Sequence, residues 1–397
     1  MFLSNKTPPH ISTLILLAGL SAMVMNIFLP SLPGMTVYFD TEYRVMQLSV
    51  ALYLGASAVL QVLIGPISDQ IGRRPVLLWG IFLFMLSTLG CIFAPNATVF
   101  LIFRISQAVI ATCLVLSRAI VRDIVADAEA ASKIGYVTMG MSVVPMVAPS
   151  FGGLLEEIWD WRASFWLMFG CGGFALMLVY FDLGETKKRS GNTLIEQLRE
   201  YPELLRSPRF WGYTLSSAFA SGSFFAYLGG APFVASDYFG LSPAVLGLFF
   251  GAPAIGYFLG NYISGAYSSR IGINRMVLWG SWINATGVGL SLLMFVIDQG
   301  TVFTFFAFMT FVGVGNGMVI PNATAGALSV RPHLAGTASG LTSAIMIGGG
   351  AGLSALAGSL LEIWPGPYSL LWLMMASGGS ALVAILLTIR REKRLQG

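Results

Sequence analysis

This sequence predicts an all-α membrane protein with twelve transmembrane helices in two pseudo-symmetric six-helix bundles. Three observations lead there. The chain is 56% hydrophobic and only 10% charged, whereas a soluble domain carries about 25% charged residues. Its apolar stretches come in runs of about 20 residues, the length that crosses a bilayer. The chain also repeats itself. Gly65, Ser68, Ile71 and Gly72 recur 200 positions later as Gly265, Ser268, Ile271 and Gly272, and LLWG at 77–80 returns as VLWG at 277–280.

The first run, near 11–32, is long enough to span and lacks a small-residue cleavage site, so it reads as a helix and not as a signal peptide. The next two, near 47–67 and 75–94, flank the charged turn GPISDQIGRRP at 65–75. Runs near 98–120, 133–155 and 162–183 complete a first set of six. The segment 184–209 is polar and charged, with an amphipathic piece LIEQLREYPELL at 194–205, and it marks a cytoplasmic linker between the bundles 1–183 and 210–397. Further runs lie near 210–233, 242–266, 275–297, 301–323, 334–360 and 366–389, followed by a short basic tail. Short connections make neighbours antiparallel. The three cysteines, Cys91, Cys113 and Cys171, sit inside apolar runs and read as small core residues, with no metal or disulfide role.

Lysine and arginine set the expected orientation. With both termini in the cytoplasm, Arg73, Arg74, Arg122, Lys133, Lys187, Lys188, Arg189, Arg199, Arg206, Arg209, Arg270, Arg275, Arg331 and the tail Arg390, Arg391, Lys393 and Arg394 all lie inside. Only Arg44 and Arg162 lie outside. The inner membrane of a bacterium is the expected location. The net charge of +4 is modest, and nothing in its distribution suggests nucleic-acid binding.

Ionisable groups inside a membrane are costly and mark function. Arg104 lies on the fourth helix, about 9 Å below the outer end at about 1.5 Å per residue. Asn26 on the first helix lies at a similar depth, so the two side chains are expected to meet if their helices are neighbours. Arg104 reads either as a cavity-facing cation or as a side chain snorkelling to the outer surface. No Asp or Glu is expected at mid-membrane depth. Asp69 ends the second helix, where the helix dipole disfavours an anion. It therefore needs positive partners. Arg73, Arg122 and the N-terminus of the eleventh helix near Leu334 are the candidates, and together they would clamp the bundles shut on the inside. A solvated ion pair of little worth is the plainer reading. On the fifth helix, Gly140, Pro145, Pro149, Gly152 and Gly153 predict a bent, closely packed seam between the bundles, echoed on the eleventh by Gly340, Gly349 and Gly352.

Together these stretches resemble the major facilitator superfamily over nearly the whole chain. GPISDQIGRRP is similar to its loop 2–3 motif at Gly65, Asp69, Gly72, Arg73 and Arg74. RISQA at 104–108 resembles its fourth-helix motif, with Ala108 where a glycine is usual. Gly140 to Gly153 resembles its fifth-helix antiporter motif. NIFLPSLP at 26–33 and LSRAIVRDI at 116–124 resemble the bicyclomycin/chloramphenicol-resistance branch of twelve-helix drug:proton antiporters. The resemblance implies alternating access around a midplane cavity. One departure stands out: Asn26 occupies the place where that branch usually keeps an acid.

The expected function is efflux of drug-like small molecules by proton antiport, with no cofactor and no metal, by a monomer surrounded by lipid. Expected cavity residues are Asn26, Tyr53, Arg104, Gln107, Met146, Phe224, Tyr227, Tyr257 and Asn316. Each has a plain alternative as a buried core residue, since a membrane bundle buries many Tyr and Met. The alternative function is a metabolite facilitator or symporter for an anion paired with Arg104. An enzyme is not expected: the sequence shows no paired carboxylates, ligand cluster or nucleophile–base set.

Overall fold

The computed structural model describes residues 9–124, 137, 144–145, 147–186, 202–331 and 334–396. Gly140, Met146 and the amphipathic piece at 194–205, up to Tyr201, lie outside the described residues, as does the side chain of Arg122. Among the described residues, eleven helices are long and apolar enough to cross a membrane. They are α1 (Ile11–Tyr38), α2 (Tyr43–Ile71), α3 (Arg73–Ile92) and α4 (Ala97–Val121), then, after α5, α6 (Trp161–Asp182) and α7 (Pro208–Tyr238). α8 (Pro243–Ile271), α9 (Ile273–Val296), α10 (Val302–Ser329), α11 (Thr337–Ile363) and α12 (Pro367–Arg394) follow. The fifth predicted span is represented by α5, helical over 147–158.

Several helices run past their apolar runs. α1 reaches Tyr38 because it breaks after Asn26 into a 3₁₀ turn, Leu29–Ser31, and restarts at Leu32. Pro30 and Pro33 then fall in first turns, where a missing N–H leaves no bond unmade. α4 is likewise interrupted by the 3₁₀ turn Gln107–Ile110.

The helix ends sort into two faces. The face holding Arg73, Arg209, Arg275 and Arg331 is basic. The far face carries Asp40, Glu42, Glu156, Glu157, Asp160, Asp237, Asp298 and Glu362, with Arg44 and Arg162. A sheath of exposed apolar side chains, among them Trp79, Trp166, Trp279 and Trp372, covers the outside of the bundle, as a lipid-facing surface requires.

The internal repeat is visible in the backbone. Gly72 and Gly272 both end a helix with positive φ, 114° and 89°. Each returns its N–H to the serine four residues back, Ser68 at 3.0 Å and Ser268 at 2.9 Å. Only glycine enters this region without strain. The side chains at the two corners have diverged. In the first, Arg73 joins Asp69 at 2.7 Å and Asp123 of the α4 end at 3.0 Å. It also donates to Ser68, while its own N–H and that of Arg74 donate to Glu185. In the second, Glu392 takes the hub position. It receives Arg209 at 2.6 Å, Tyr213 at 3.0 Å and Asn274 at 2.5 Å.

α1–α6 and α7–α12 meet mainly toward the far face. One apolar core runs from α1–α6 into the far-face parts of α7, α9, α10, α11 and α12. The basic-face part of the second group has its own separate core around Phe210, Val277 and Ile385. Polar contacts follow the same division. Tyr43 of α2 donates to the Gly229 carbonyl of α7 at 2.8 Å, and Gln47 donates to the Ser354 hydroxyl of α11 at 2.8 Å. Ser150 of α5 donates to the Gly247 carbonyl of α8 at 3.0 Å.

The glycine seam needs correction in part. Gly153 does face the other group: a Cβ there would strike the Pro243 carbonyl of α8. Gly247 returns the contact against Pro149. Gly152 instead abuts the Ile27 carbonyl of α1, inside its own group. Among the described residues, a Cβ at Gly340, Gly349 or Gly352 would meet nothing within 4 Å, so no close contact is seen at these three. Close glycine packing also occurs within the second group, where Gly256 and Gly260 of α8 lie against α10, and Gly313 and Gly317 of α10 against α8. Sequence offset points to homologous positions, but helix phase decides which neighbour each one meets.

Candidate functional site

A cavity of about 230 Å³ lies between the two groups of helices. Asn26 and Met25 of α1, Tyr53, Ser57 and Gln61 of α2, and Pro145 line one wall. Ser221 and Phe224 of α7, Tyr257 of α8, Asn316 of α10 and Met346 of α11 line the other. Of the nine expected cavity residues, Asn26, Tyr53, Phe224, Tyr257 and Asn316 are thus brought together, while Met146 lies outside the described residues. None of the described lining residues is Asp, Glu, Lys, Arg or His.

Arg104 is not a cavity-facing cation, and it does not snorkel. It is 1% exposed and stands behind the wall. Its guanidinium donates to Gln107 Oε1 at 2.7 Å and to the Val24 carbonyl of α1 at 3.0 Å. The same group lies between two aromatic faces, Phe28 at 4.1 Å and Tyr53 at 4.3 Å. A carbonyl dipole and two ring quadrupoles thus face the charge. Asn26 does not bond to it, because its amide turns back to the Ala22 carbonyl at 2.7 Å. Gln107 is also fully buried and passes the chain of bonds to Thr88 of α3 at 2.7 Å. Tyr227 is 1% exposed and packs on Phe250, Phe306 and the lining residue Phe224 without lining the cavity itself. Arg104, Gln107 and Tyr227 are therefore corrected from lining to supporting positions. Arg104 is unavailable as the counter-ion that an anionic substrate would need.

Asn284 of α9, behind the lining residue Asn316, is a supporting polar residue that sequence reasoning missed. It is fully buried and donates to the Ala220 carbonyl at 3.1 Å and to Asn316 Oδ1 at 3.3 Å. An asparagine in an apolar helix was the available signal. Asp123, next to the expected Arg122, is the partner that α4 supplies to the Arg73 corner.

The family model described as Major Facilitator Superfamily matches residues 14–355 and 231–396. The chain belongs to the major facilitator superfamily. It is a transporter and not an enzyme. It is 33% identical to YdgK, an uncharacterized MFS-type transporter of Bacillus subtilis, over 82% of each chain. It is 31% identical to a chloramphenicol resistance protein of Pseudomonas aeruginosa, over 87% of this chain and 82% of the other. Multidrug resistance protein D of Escherichia coli is 28% identical over 91% of each chain. Among solved structures, a bacterial homolog of the human lysosomal transporter Spinster superposes with a TM-score of 0.74 over 96% of each chain at 15% identity. That likeness is one of fold. The superfamily transporter is thus multi-pass, and its members act on small molecules.

Proposed function

We propose that this transporter exports drug-like, lipophilic small molecules by alternating access, driven by proton antiport. The observation that carries the reading is the cavity between the two helix groups, apolar in most of its lining and built equally from both. A site shared in that way changes its exposure when the groups rock. Relatives named for multidrug, chloramphenicol and bicyclomycin resistance support the substrate class. The bundles 1–183 and 210–397 are the rocking bodies and 184–209 the linker. The basic face is cytoplasmic with both termini, the membrane is the bacterial inner membrane, and the monomer works alone in lipid. The far-face contacts then close the outer side.

Asn26 carries no proton, so the coupling carboxylate lies elsewhere. Glu156 at the far-face end of α5 supports one route. Among the described residues, its Oε2 is the one carboxylate oxygen buried without a hydrogen-bond partner. The test is uptake of neutral, cationic and anionic compounds into everted vesicles with and without an imposed pH gradient. Uptake that requires the gradient is expected. Uptake of the same size without it points to a facilitator and removes the antiport reading.

A further inference from the structure

We propose that the cavity selects uncharged compounds that accept a hydrogen bond from Asn316 and donate one to Asn26. The inference rests on the export reading and names its substrate class. Both residues line the cavity and are only 3% exposed. A backbone carbonyl, which can only accept, fixes the Asn26 amide directly and the Asn316 amide through Asn284. One hydrogen of the Asn26 NH₂ group is held by the Ala22 carbonyl at 2.7 Å, which fixes the amide and leaves its Oδ1 as an acceptor with no internal donor among the described residues. On the other wall the Asn284 NH₂ group is committed to the Ala220 carbonyl at 3.1 Å and gives its second hydrogen to Asn316 Oδ1 at 3.3 Å. Asn316 Nδ2 is then turned to the cavity as a donor. The Asn26 acceptor and the Asn316 donor stand on opposite walls, each held by its own helix group, beside the polar groups of Ser57, Gln61 and Ser221.

Charge is excluded by what surrounds them. The described lining contains no carboxylate to meet a cation and no Lys, Arg or His to meet an anion. Arg104 is locked behind the wall, and Arg118, close enough to act electrostatically on Tyr257, has partners of its own. An ion entering such a site sheds its water with no charged side chain in the described lining to replace it, Arg118 acting on Tyr257 from outside that lining. A neutral molecule with a carbonyl at one end and a hydroxyl at the other loses little and bonds to both walls. It also ties them together, so its fit depends on the relative position of the two groups.

Binding to the purified full-length protein, measured by calorimetry, tests this without any gradient. The probes are chloramphenicol (neutral, with an amide carbonyl and hydroxyls), tetraphenylphosphonium and 8-anilinonaphthalene-1-sulfonate. Chloramphenicol is expected to bind at least ten-fold more tightly than either ion. Asn316→Leu and Asn26→Leu are each expected to weaken it roughly ten-fold, the worth of one lost hydrogen bond in a desolvated site. Asn26→Asp places a carboxylate in the wall, keeps the side-chain volume, and is expected to raise tetraphenylphosphonium affinity at least ten-fold. That arm stands even if a leucine variant fails to fold. Wild-type protein that prefers either ion, or unchanged chloramphenicol affinity in a folded Asn316→Leu protein, overturns the inference. Gradient-driven uptake in vesicles would meanwhile leave export standing. With no binding and no uptake of any probe, both readings fall.

Discussion

Gln47 of α2 and Ser354 of α11 lock the two helix groups together near the far face. The Gln47 amide donates to both the hydroxyl and the carbonyl of Ser354. Gly358 leaves room for the Gln47 side chain, since a Cβ there would lie 2.6 Å from its Oε1. Tyr43 on the next turn out donates to the Gly229 carbonyl. These bonds must break whenever the groups part on this side. Gln47→Ala is therefore expected to shift the population toward the state open on the far face by roughly three- to ten-fold, one buried bond's worth. Labelling of a cysteine introduced at the far-face end of α2 reads that shift. Unchanged labelling would mean that the apolar core alone holds the closure.

The corner around Arg73 predicts stability more than gating. Every recorded bond of Arg73 stays among Asp69, Asp123, Ser68, Gly65 and Glu185 of the first group. Removing Asp123 leaves Arg73 with Asp69 alone, and removing Arg73 leaves the two carboxylates facing each other without their shared cation. Asp123→Ala and Arg73→Ala are both expected to lower the melting temperature in detergent by several degrees. Asp69→Asn keeps a hydrogen bond to Arg73 and is expected to fold, with export crippled if the corner also sets the conformational balance. Wild-type export in Asp69→Asn would confine the whole corner to folding.

Gly152 and Gly153, adjacent in sequence, are expected to fail in different ways. Gly153→Leu drives a side chain into the Pro243 carbonyl of α8, so it opposes far-face closure. Gly152→Leu presses on the Ile27 carbonyl within the first group, beside the break in α1, and strains that group itself. Protein yield and melting temperature should therefore drop for Gly152→Leu, while Gly153→Leu folds and exports poorly. Equal loss of stability in both would show that the α5–α8 contact belongs to the fold and does not open.

Parts of this were legible in the sequence because they constrain a single position. A helix end with positive φ demands glycine, so Gly72 and Gly272 show at once and carry the repeat. Length and apolarity likewise made the spans visible. Direction was not legible. The depth of Arg104 follows from counting residues, but the face it takes depends on Phe28 and Val24, some 80 positions away. Arg122 and Asp123 differ by one position and about 100° of helix phase, and only tertiary contact shows that Asp123 meets Arg73. Asn284 was hidden for the same reason: its partners lie on two other helices.

Glu156 offers a test of the coupling route. Its side chain reaches the glycine at position 34 of α1, where a Cβ would collide with the carboxylate. Burial, with Asp160 nearby, disfavours the charged form of this carboxyl, and the Ser31 hydroxyl beside it offsets only part of that. Glu156→Gln keeps the shape and removes the titration. It is expected to abolish the effect of a pH gradient on vesicle uptake while leaving chloramphenicol binding within about two-fold of wild type. Retained gradient-driven uptake would remove Glu156 from the proton's path.

Arg104 closes the argument about charge. Its guanidinium bonds to Val24, on the same helix as Asn26, and to Gln107, and is sandwiched by Phe28 and Tyr53. It thereby pins α1, α2 and α4 to one another behind the cavity wall, with Tyr53 as the lining residue it holds in place. The planar fork of Arg suits this task, and the ammonium of Lys does not. Arg104→Lys is expected to lower the melting temperature while the surviving protein binds chloramphenicol within roughly three-fold of wild type. Arg104→Ala leaves Gln107 Oε1 and the Val24 carbonyl without the donor that Arg104 supplied and is expected to fold poorly. Asn26→Asp would place its carboxylate on the cavity side of the wall, where it answers to a cationic solute and not to Arg104. The discriminating result is the double variant Asn26→Asp with Arg104→Lys. Independent roles predict additive effects, with stability lost to the lysine and cation affinity raised by the aspartate. Strong coupling between the two would instead mean that the residue at 26 turns inward to the cation once it is charged.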